Sequence, residues 1–334
     1  MEQQISTRVI SYAQAICEAT DQAMQLDPSV IVIGQGTRDP RAIFGSLTGL
    51  FDKYGPERVM EMPLSENAIA GICIGAAFNG FRPVFILQRA DFLFLAMDQL
   101  MNHAAKWYFM FGGSKSIPVT IRCIIGKGWG QGPQHSQSLH AICSHFPGLR
   151  VSLPATPYQA KGLLLNSIFS NDPSILFEAR PLYDLKEEVP SEPYVIPFGK
   201  ATIVQEGTDL TLAAISYLTP EAKKVATMLS QLGYSAEVVD ITSSNPIDYD
   251  TIQTSVVKTG RLVILDVSWK EFGLASELSA EINERLFGKL KGPVQRITIP
   301  PWPTPTAAAL EKEYYPSAEV ILERCKRILG ICES

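Results

Sequence analysis

The chain is 334 residues long, with 46% hydrophobic and 19% charged side chains, a globular composition that excludes a disordered chain. At about 150 residues per domain the length fits two domains. Twenty-nine basic and 34 acidic side chains leave a net charge of −5, so there is no electrostatic ground for a nucleic-acid partner, whose binders carry a basic stripe.

In chain order, residues 7–25 (TRVISYAQAICEATDQAMQ) predict a helix and SVIVIG (29–34) a buried strand. The segment 65–80 (SENAIAGICIGAAFNG) follows the strand VMEM and has a small-and-apolar helix pattern, with Ser65 as N-cap and Gly80 as stop. PVFILQ (83–88) reads as a strand, 92–110 as a long helix, VTIRCII (119–125) as a strand, SQSLHAICSHF as a helix and RVSLPA as a strand. PYQAKGLLLNSIFS reads as a helix stopped before Asn171-Asp172-Pro173, and SILFEA as a strand. Short apolar strands alternating with helices indicate a parallel sheet covered on both faces.

Residues 181–200 contain four prolines and a charge cluster, the composition of an interdomain connector. Beyond it the alternation resumes: DLTLAAIS, a helix from about Thr219 to Gly233, SAEVVDI, a helix from Tyr249 to Lys258, RLVILDVS, a helix over 273–286, VQRITI and a last helix over 317–329. The expected fold is α/β, with two doubly wound domains over 1–185 and 201–334 and a linker over 186–200. No apolar run reaches the roughly 18 residues that cross a bilayer, and the N-terminus lacks the basic-then-apolar pattern of a secretory signal. A cytoplasmic protein without a membrane partner is expected. The six cysteines are scattered and form no CxxC pair, which favours buried free thiols over a zinc site.

Ligands of such sheets sit at the carboxyl ends of strands, and three segments answer to that position. Glu66, in the first turn of a helix of small residues, reads either as a carboxylate favoured by the helix dipole or as one that holds a heterocycle. The loop GKGWGQGPQHSQ (126–137) has four glycines within seven residues, giving close backbone approach to a ligand, yet it is neither a Walker loop nor a dinucleotide fingerprint. His135 after it is placed for acid–base or oxyanion work, or is structural. The third segment is Gln88-Arg89-Ala90-Asp91-Phe92 at a strand end, where Phe92 suits a flat ring or the core.

PLSENAIAGICIGAAFNGFRPV, DQLMNHAAK, QHSQSLHAICSHFPGLRV and PYQAKGLLLNSI…DPSILFE, in this order and spacing, resemble the beta subunit of the thiamine-diphosphate-dependent 2-oxoacid dehydrogenases, over nearly the whole chain. The resemblance implies a transketolase-like pyrimidine-binding domain followed by a transketolase C-terminal domain. It implies that Glu66 bonds the cofactor aminopyrimidine, that Phe92 packs on that ring with Leu64 and Gln88 nearby, and that His135 is the active-site histidine. The implied activity is decarboxylation of a 2-oxoacid and acyl transfer to lipoamide. The implied partners are an alpha subunit, a second beta subunit and a lipoyl acyltransferase core. No GDG occurs in the chain, so the diphosphate and Mg2+ fall to the alpha subunit. By analogy with the potassium site of some relatives, Val119, Ser167, Ile168, Ser170 and Asp172 are expected around K+.

Departures from the family pattern bear on the substrate. Arg89 replaces an aromatic of the branched-chain type, reading either as a selector of an anionic group or as a surface ion pair. Lys127, Trp129 and Gln131 differ from the usual loop, which adds Trp129 to Arg89 and His135 as substrate residues. VSWKEFGLASEL and PPWPTPTAAALEKEYYPS differ from the family's C-terminal domain. The alternative is a two-component transketolase-like or acyloin-forming carboligase. A degenerate, non-enzymatic assembly subunit is disfavoured by the presence of Glu66, Phe92 and His135.

Overall fold

The computed structural model describes residues 6–39, 41–127 and 130–331. Its strands are β1 (Thr7–Ser11), β2 (Val30–Gly34), β3 (Val59–Glu61), β4 (Arg82–Leu87), β5 (Thr120–Ile125), β6 (Arg150–Ser152), β7 (Ser174–Ala179), β8 (Lys186–Pro190), β9 (Thr202–Gln205), β10 (Leu210–Ala214), β11 (Ala236–Asp240), β12 (Ser243–Asn245), β13 (Leu262–Trp269) and β14 (Gln295–Ile299). One sheet runs β12-β6-β7-β5-β4-β2-β3 and a second runs β14-β13-β10-β11-β9. Within the first, β2 to β7 are parallel and only β12 is antiparallel. Every residue of β2, β5 and β7 is buried, because helices cover both faces and leave no polar side to the strand.

The segment 7–25 is not one helix. Thr7–Ser11 is a strand paired antiparallel with Lys186–Pro190, and the helix spans Tyr12–Leu26. The β-branched TRVIS favours extended backbone, while Ser11 and Gln14 form a reciprocal capping box that starts the helix at Tyr12. The helix read over 92–110 is continuous but contains a π-helical stretch, Asp98–Ala104. The helix expected after the glycine-rich loop is only His140–Ser144.

The stretch expected as a linker opens with β8 and is then strapped to the helix Pro157–Phe169. Tyr194 stacks on Tyr158 at 4.6 Å, and Ile196 exchanges backbone and side-chain bonds with Gly162 and Asn166. A Cβ on Gly162 would come within 2.6 Å of Ile196 and 2.7 Å of Tyr194. Buried Lys161 reaches Glu18 at 2.5 Å and the carbonyl of Pro190 at 2.6 Å.

The sheets are also joined directly. β12 follows a strand of the second sheet yet extends the first by pairing with β6. His140 Nε2 lies 3.0 Å from Asp266 Oδ1, both side chains fully buried. Gln159 donates its Nε2 to Asp240 at 2.6 Å, and Thr219 donates to the same carboxylate at 2.7 Å. Among the described residues all five cysteines are free, and no helix is long and apolar enough to cross a membrane.

Two stability predictions follow from buried charges. Arg122 on β5 grips Glu178 on β7 at 2.5 and 2.9 Å, and the Tyr183 hydroxyl donates to Glu178 at 2.6 Å. Arg122→Ala leaves that carboxylate buried and uncompensated and should cost about 3–5 kcal/mol in denaturant unfolding, whereas Arg122→Met with Glu178→Leu should recover most of it. Burial raises the Asp240 carboxyl to about 6 against the hydrogen bonds from Gln159 and Thr219. A raised carboxyl pKa contributes stability that is complete below about pH 4 and lost as pH rises through about 6. The stability of Asp240→Asn relative to the parent should therefore climb, by up to about 3 kcal/mol, between those limits. A flat difference across that window would contradict the assignment.

Candidate functional site

The chain leaves β2 toward β3 on one side and crosses back to β4 on the other, so the strand order reverses between β2 and β4. Loops diverging at such a point open a crevice at the carboxyl edge of the sheet. Gln88, just past β4, spans it by donating its Nε2 to the Gln35 carbonyl at 2.8 Å. Gly36 sits beside this bond at φ 72°, where a Cβ would come within 2.5 Å of the Gln88 amide. Glu61 at the end of β3 accepts from Gly36 N (2.7 Å), Thr37 Oγ1 (2.9 Å) and Arg38 N (3.3 Å). The loop after β2 is thus clamped from the neighbouring strand.

Glu66 is the first residue of the helix Glu66–Phe78. It is 6% exposed, yet among the described residues no hydrogen bond or ion pair reaches its carboxylate. The helix N-terminus favours a negative charge there, but a carboxylate so shielded ordinarily has a partner. Leu64, Ser65 and Asn67 beside it are exposed, Leu64 at 84%, so the residue lies at the surface and not in a remote core. Ser65 holds the N-cap position without a side-chain cap bond.

Phe92 closes the 3-10 turn Ala90–Phe92, and its ring meets His135 edge-on, the centroids 5.5 Å apart. The structure therefore brings together two residues 43 positions apart in sequence, which neither segment alone revealed. Asp91 between Arg89 and Phe92 makes that meeting possible. Its Oδ1 accepts from the backbone N (3.3 Å) and the Nε2 (2.7 Å) of Gln137, tying the segment after His135 to the end of β4. Burial raises the Asp91 carboxyl, and the Gln137 bonds oppose that rise. The second domain supports the same loop: Gly130 N donates to Glu311 Oε2 at 3.2 Å, and Gly132, at φ 72°, abuts Thr306 so closely that a Cβ would lie 2.5 Å from Oγ1.

Arg89 Nε donates to Gln131 Oε1 at 2.8 Å, and its guanidinium lies 5.3 Å from the Phe44 ring centroid. Trp129 lies outside the described residues.

The residues expected around K+ are already engaged. The carbonyls of Ile168 and Ser170 accept from Arg82 at 3.1 and 2.9 Å, the Val119 carbonyl accepts from Ser174 N, the Ser167 hydroxyl bonds Leu163, and Asp172 pairs with Arg150 at 2.7 Å. A guanidinium on two of the supposed ligands repels a second cation, so this set does not fit a monovalent metal. Among the described residues no three His, Cys, Asp or Glu side chains are grouped to hold a metal ion.

Gln35, Glu61 and Asp91 shape the crevice but were not candidates from sequence. Gln35 and Glu61 directly follow or end apolar strands, the one signal available for them. Asp91 stood inside a noted segment with nothing to separate a helix cap from a tether.

Residues 8–186 match the transketolase pyrimidine binding domain and residues 199–321 the transketolase C-terminal domain. The chain is 40% identical over 332 residues to the beta subunit of acetoin:2,6-dichlorophenolindophenol oxidoreductase from Cupriavidus necator, covering 96% of this chain and 98% of that one. It is 37% identical over 317 residues to the pyruvate dehydrogenase E1 component subunit beta from Bacillus subtilis, covering 95% and 97%. Its fold matches a solved split-gene transketolase, an inactive beta4 tetramer, with a TM-score of 0.77 at 22% identity over 97% of this chain and 99% of the other. The chain belongs to the transketolase-like family that includes the beta subunits of pyruvate dehydrogenase E1 and of acetoin oxidoreductase.

Proposed function

We infer that the chain is the beta subunit of a thiamine-diphosphate-dependent 2-oxoacid dehydrogenase component, and that it supplies the pyrimidine half of a cofactor site completed by an alpha subunit. The observation that carries this reading is Glu66, a residue 6% exposed whose carboxylate has no partner among the described residues and which stands at the carboxyl edge of the sheet. A ring nitrogen of an aminopyrimidine is the kind of partner such a group lacks. The names of the relatives support the cofactor class and the two-subunit assembly.

Bound there, thiamine diphosphate supplies an electron sink for the carbon left when CO2 departs. The chain's own residues supply the surroundings. Glu66 would hold a ring nitrogen of the pyrimidine through a hydrogen bond at its carboxyl group. Phe92 packs against the flat ring, with Leu64 and Gln88 at its edges. His135, held edge-on by Phe92, donates a hydrogen bond to the oxygen where negative charge develops. The chain has no GDG, so the diphosphate and Mg2+ fall to the alpha subunit. The aldehyde-level group left after decarboxylation would be transferred as an acyl thioester to lipoamide on an acyltransferase core, the lipoamide disulfide being the two-electron oxidant that is opened to one thioester and one thiol. The domain division proposed is 1–185 and 201–334, with 186–200 as the strapped connector, in a cytoplasmic complex.

Reconstitution with the alpha subunit tests this. Glu66→Ala should lower CO2 release from a 2-oxoacid by about a hundredfold or more; unchanged turnover would remove the cofactor assignment. His135→Ala should lower kcat while the Kd for thiamine diphosphate stays within about twofold, since an oxyanion donor acts in the transition state. Parallel losses in both would make His135 a cofactor ligand instead. The isolated chain should show no micromolar binding of thiamine diphosphate by calorimetry.

A further inference from the structure

We propose that a cation-lined recess beside this site receives a second anionic group of the substrate, so that the 2-oxoacid taken by the complex ends in a carboxylate or phosphate and not in an apolar chain. The proposal rests on the functional reading above and deepens it.

The recess has a volume of about 450 Å3 and is lined by Arg41, Lys127 and Arg180 against a single carboxylate, Asp184. Among the described residues none of these three cations forms an ion pair. Arg89 borders it through its 2.8 Å bond to Gln131, itself part of the lining. The Arg89 and Arg180 guanidinium groups share one aromatic ring, lying 5.3 and 5.1 Å from the Phe44 centroid. Two like charges brought onto one ring repel each other. Burial presses the Arg89 pKa down and Arg180 adds to that effect. An anion between them turns this repulsion into attraction, and planar guanidinium groups match carboxylate and phosphate oxygens two at a time.

Backbone strain marks the same place. Ala42, Ile43 and Phe44 have positive φ of 34°, 52° and 56° in succession, a run that L-residues avoid and that persists where the surroundings enforce it. This run carries the Phe44 ring to the two guanidinium groups. The location is also set by topology. Arg89, Lys127 and Arg180 follow β4, β5 and β7, which are neighbours in the sheet. Their side chains therefore line the carboxyl edge that bears Gln88, Phe92 and His135. A substrate with its ketone near His135 would extend its far end along this edge.

The test uses the complex reconstituted with its alpha subunit and a matched pair of substrates, the dianion 2-oxoglutarate and its 5-amide 2-oxoglutaramate, a monoanion uncharged at the far end, with the corresponding phosphonate as a third arm. The dianion should exceed the amide in kcat/KM by about tenfold or more, the discrimination expected of a charge-assisted contact. Arg180→Gln should bring that ratio close to one. Arg41→Gln, at an exposed position where folding is not at stake, should reduce it in the same direction. The carboxylate and phosphonate arms decide which anion the recess prefers. Equal kcat/KM for dianion and amide in the parent, or a ratio unmoved by both variants, would overturn the proposal. Calorimetric binding of the same compounds separates it from the underlying reading: if no 2-oxoacid is decarboxylated, that reading fails, while preferential dianion binding lost in Arg180→Gln would still support the recess. Loss of thiamine diphosphate affinity in Arg180→Gln with an unchanged substrate ratio would assign the recess to the cofactor's diphosphate and sink the proposal.

Discussion

A parallel sheet covered on both faces can offer side chains to a ligand only along its carboxyl edge, because everything else in the strands is packed away. Here that constraint acts with little slack. β2, β5 and β7 are buried at every residue, and the buried pair of Arg122 with Glu178 inside the layer is held by Tyr183 and Ser46. The residues left for chemistry are those that follow the strands: Gln35 after β2, Glu66 after β3, Gln88 and Arg89 after β4, Lys127 after β5 and Arg180 after β7. They form one continuous border because β3, β2, β4, β5 and β7 are adjacent.

What could be read from sequence follows the same logic. Apolar strands between amphipathic helices declared the two α/β domains, and the strand ends pointed to Glu66, Gln88 and Phe92. The antiparallel additions were hidden. Thr7–Ser11 has too few residues to show alternation against the helix pattern that follows it, and Lys186–Pro190 sits in a proline- and charge-rich stretch that resembles a loop. Ser243–Asn245 is polar because it pairs at the edge of a foreign sheet, and no local pattern can announce a distant partner. Arg180 carries no local signal for a related reason: it directly precedes the segment read as a connector, and only the strand order shows it beside Lys127 and Arg89. The cation site failed where analogy supplied ligand positions without the competitor, since Arg82 already fills two of the carbonyls.

The second domain works on the first through buried polar links as well as apolar packing. His140 to Asp266 and Gln159 to Asp240 are buried links between the two domains, and unpaired either partner would be costly. Asp266 shows how complete the arrangement is. Its carboxylate also accepts from Ser268 N, Ser268 Oγ and Ala275 N, and the charge and hydrogen bond of His140 help hold its pKa low against burial. A relative shift of the two domains would break several such bonds at once, so these contacts resist it.

That rigidity has a consequence for His135. The loop before it is rich in glycine, so its path must be imposed from outside. One side is imposed by Asp91, which holds Gln137 to the end of β4. The other is imposed by the second domain, where Glu311 takes the Gly130 amide and Thr306 presses on Gly132. The histidine is thereby positioned between two domains whose separation is fixed by the His140–Asp266 seam a few residues further on. Thr306 and Glu311 belong to the stretch 300–317, so substitutions there would act on this loop. Such changes would reach His135 through the geometry of the loop that leads to it.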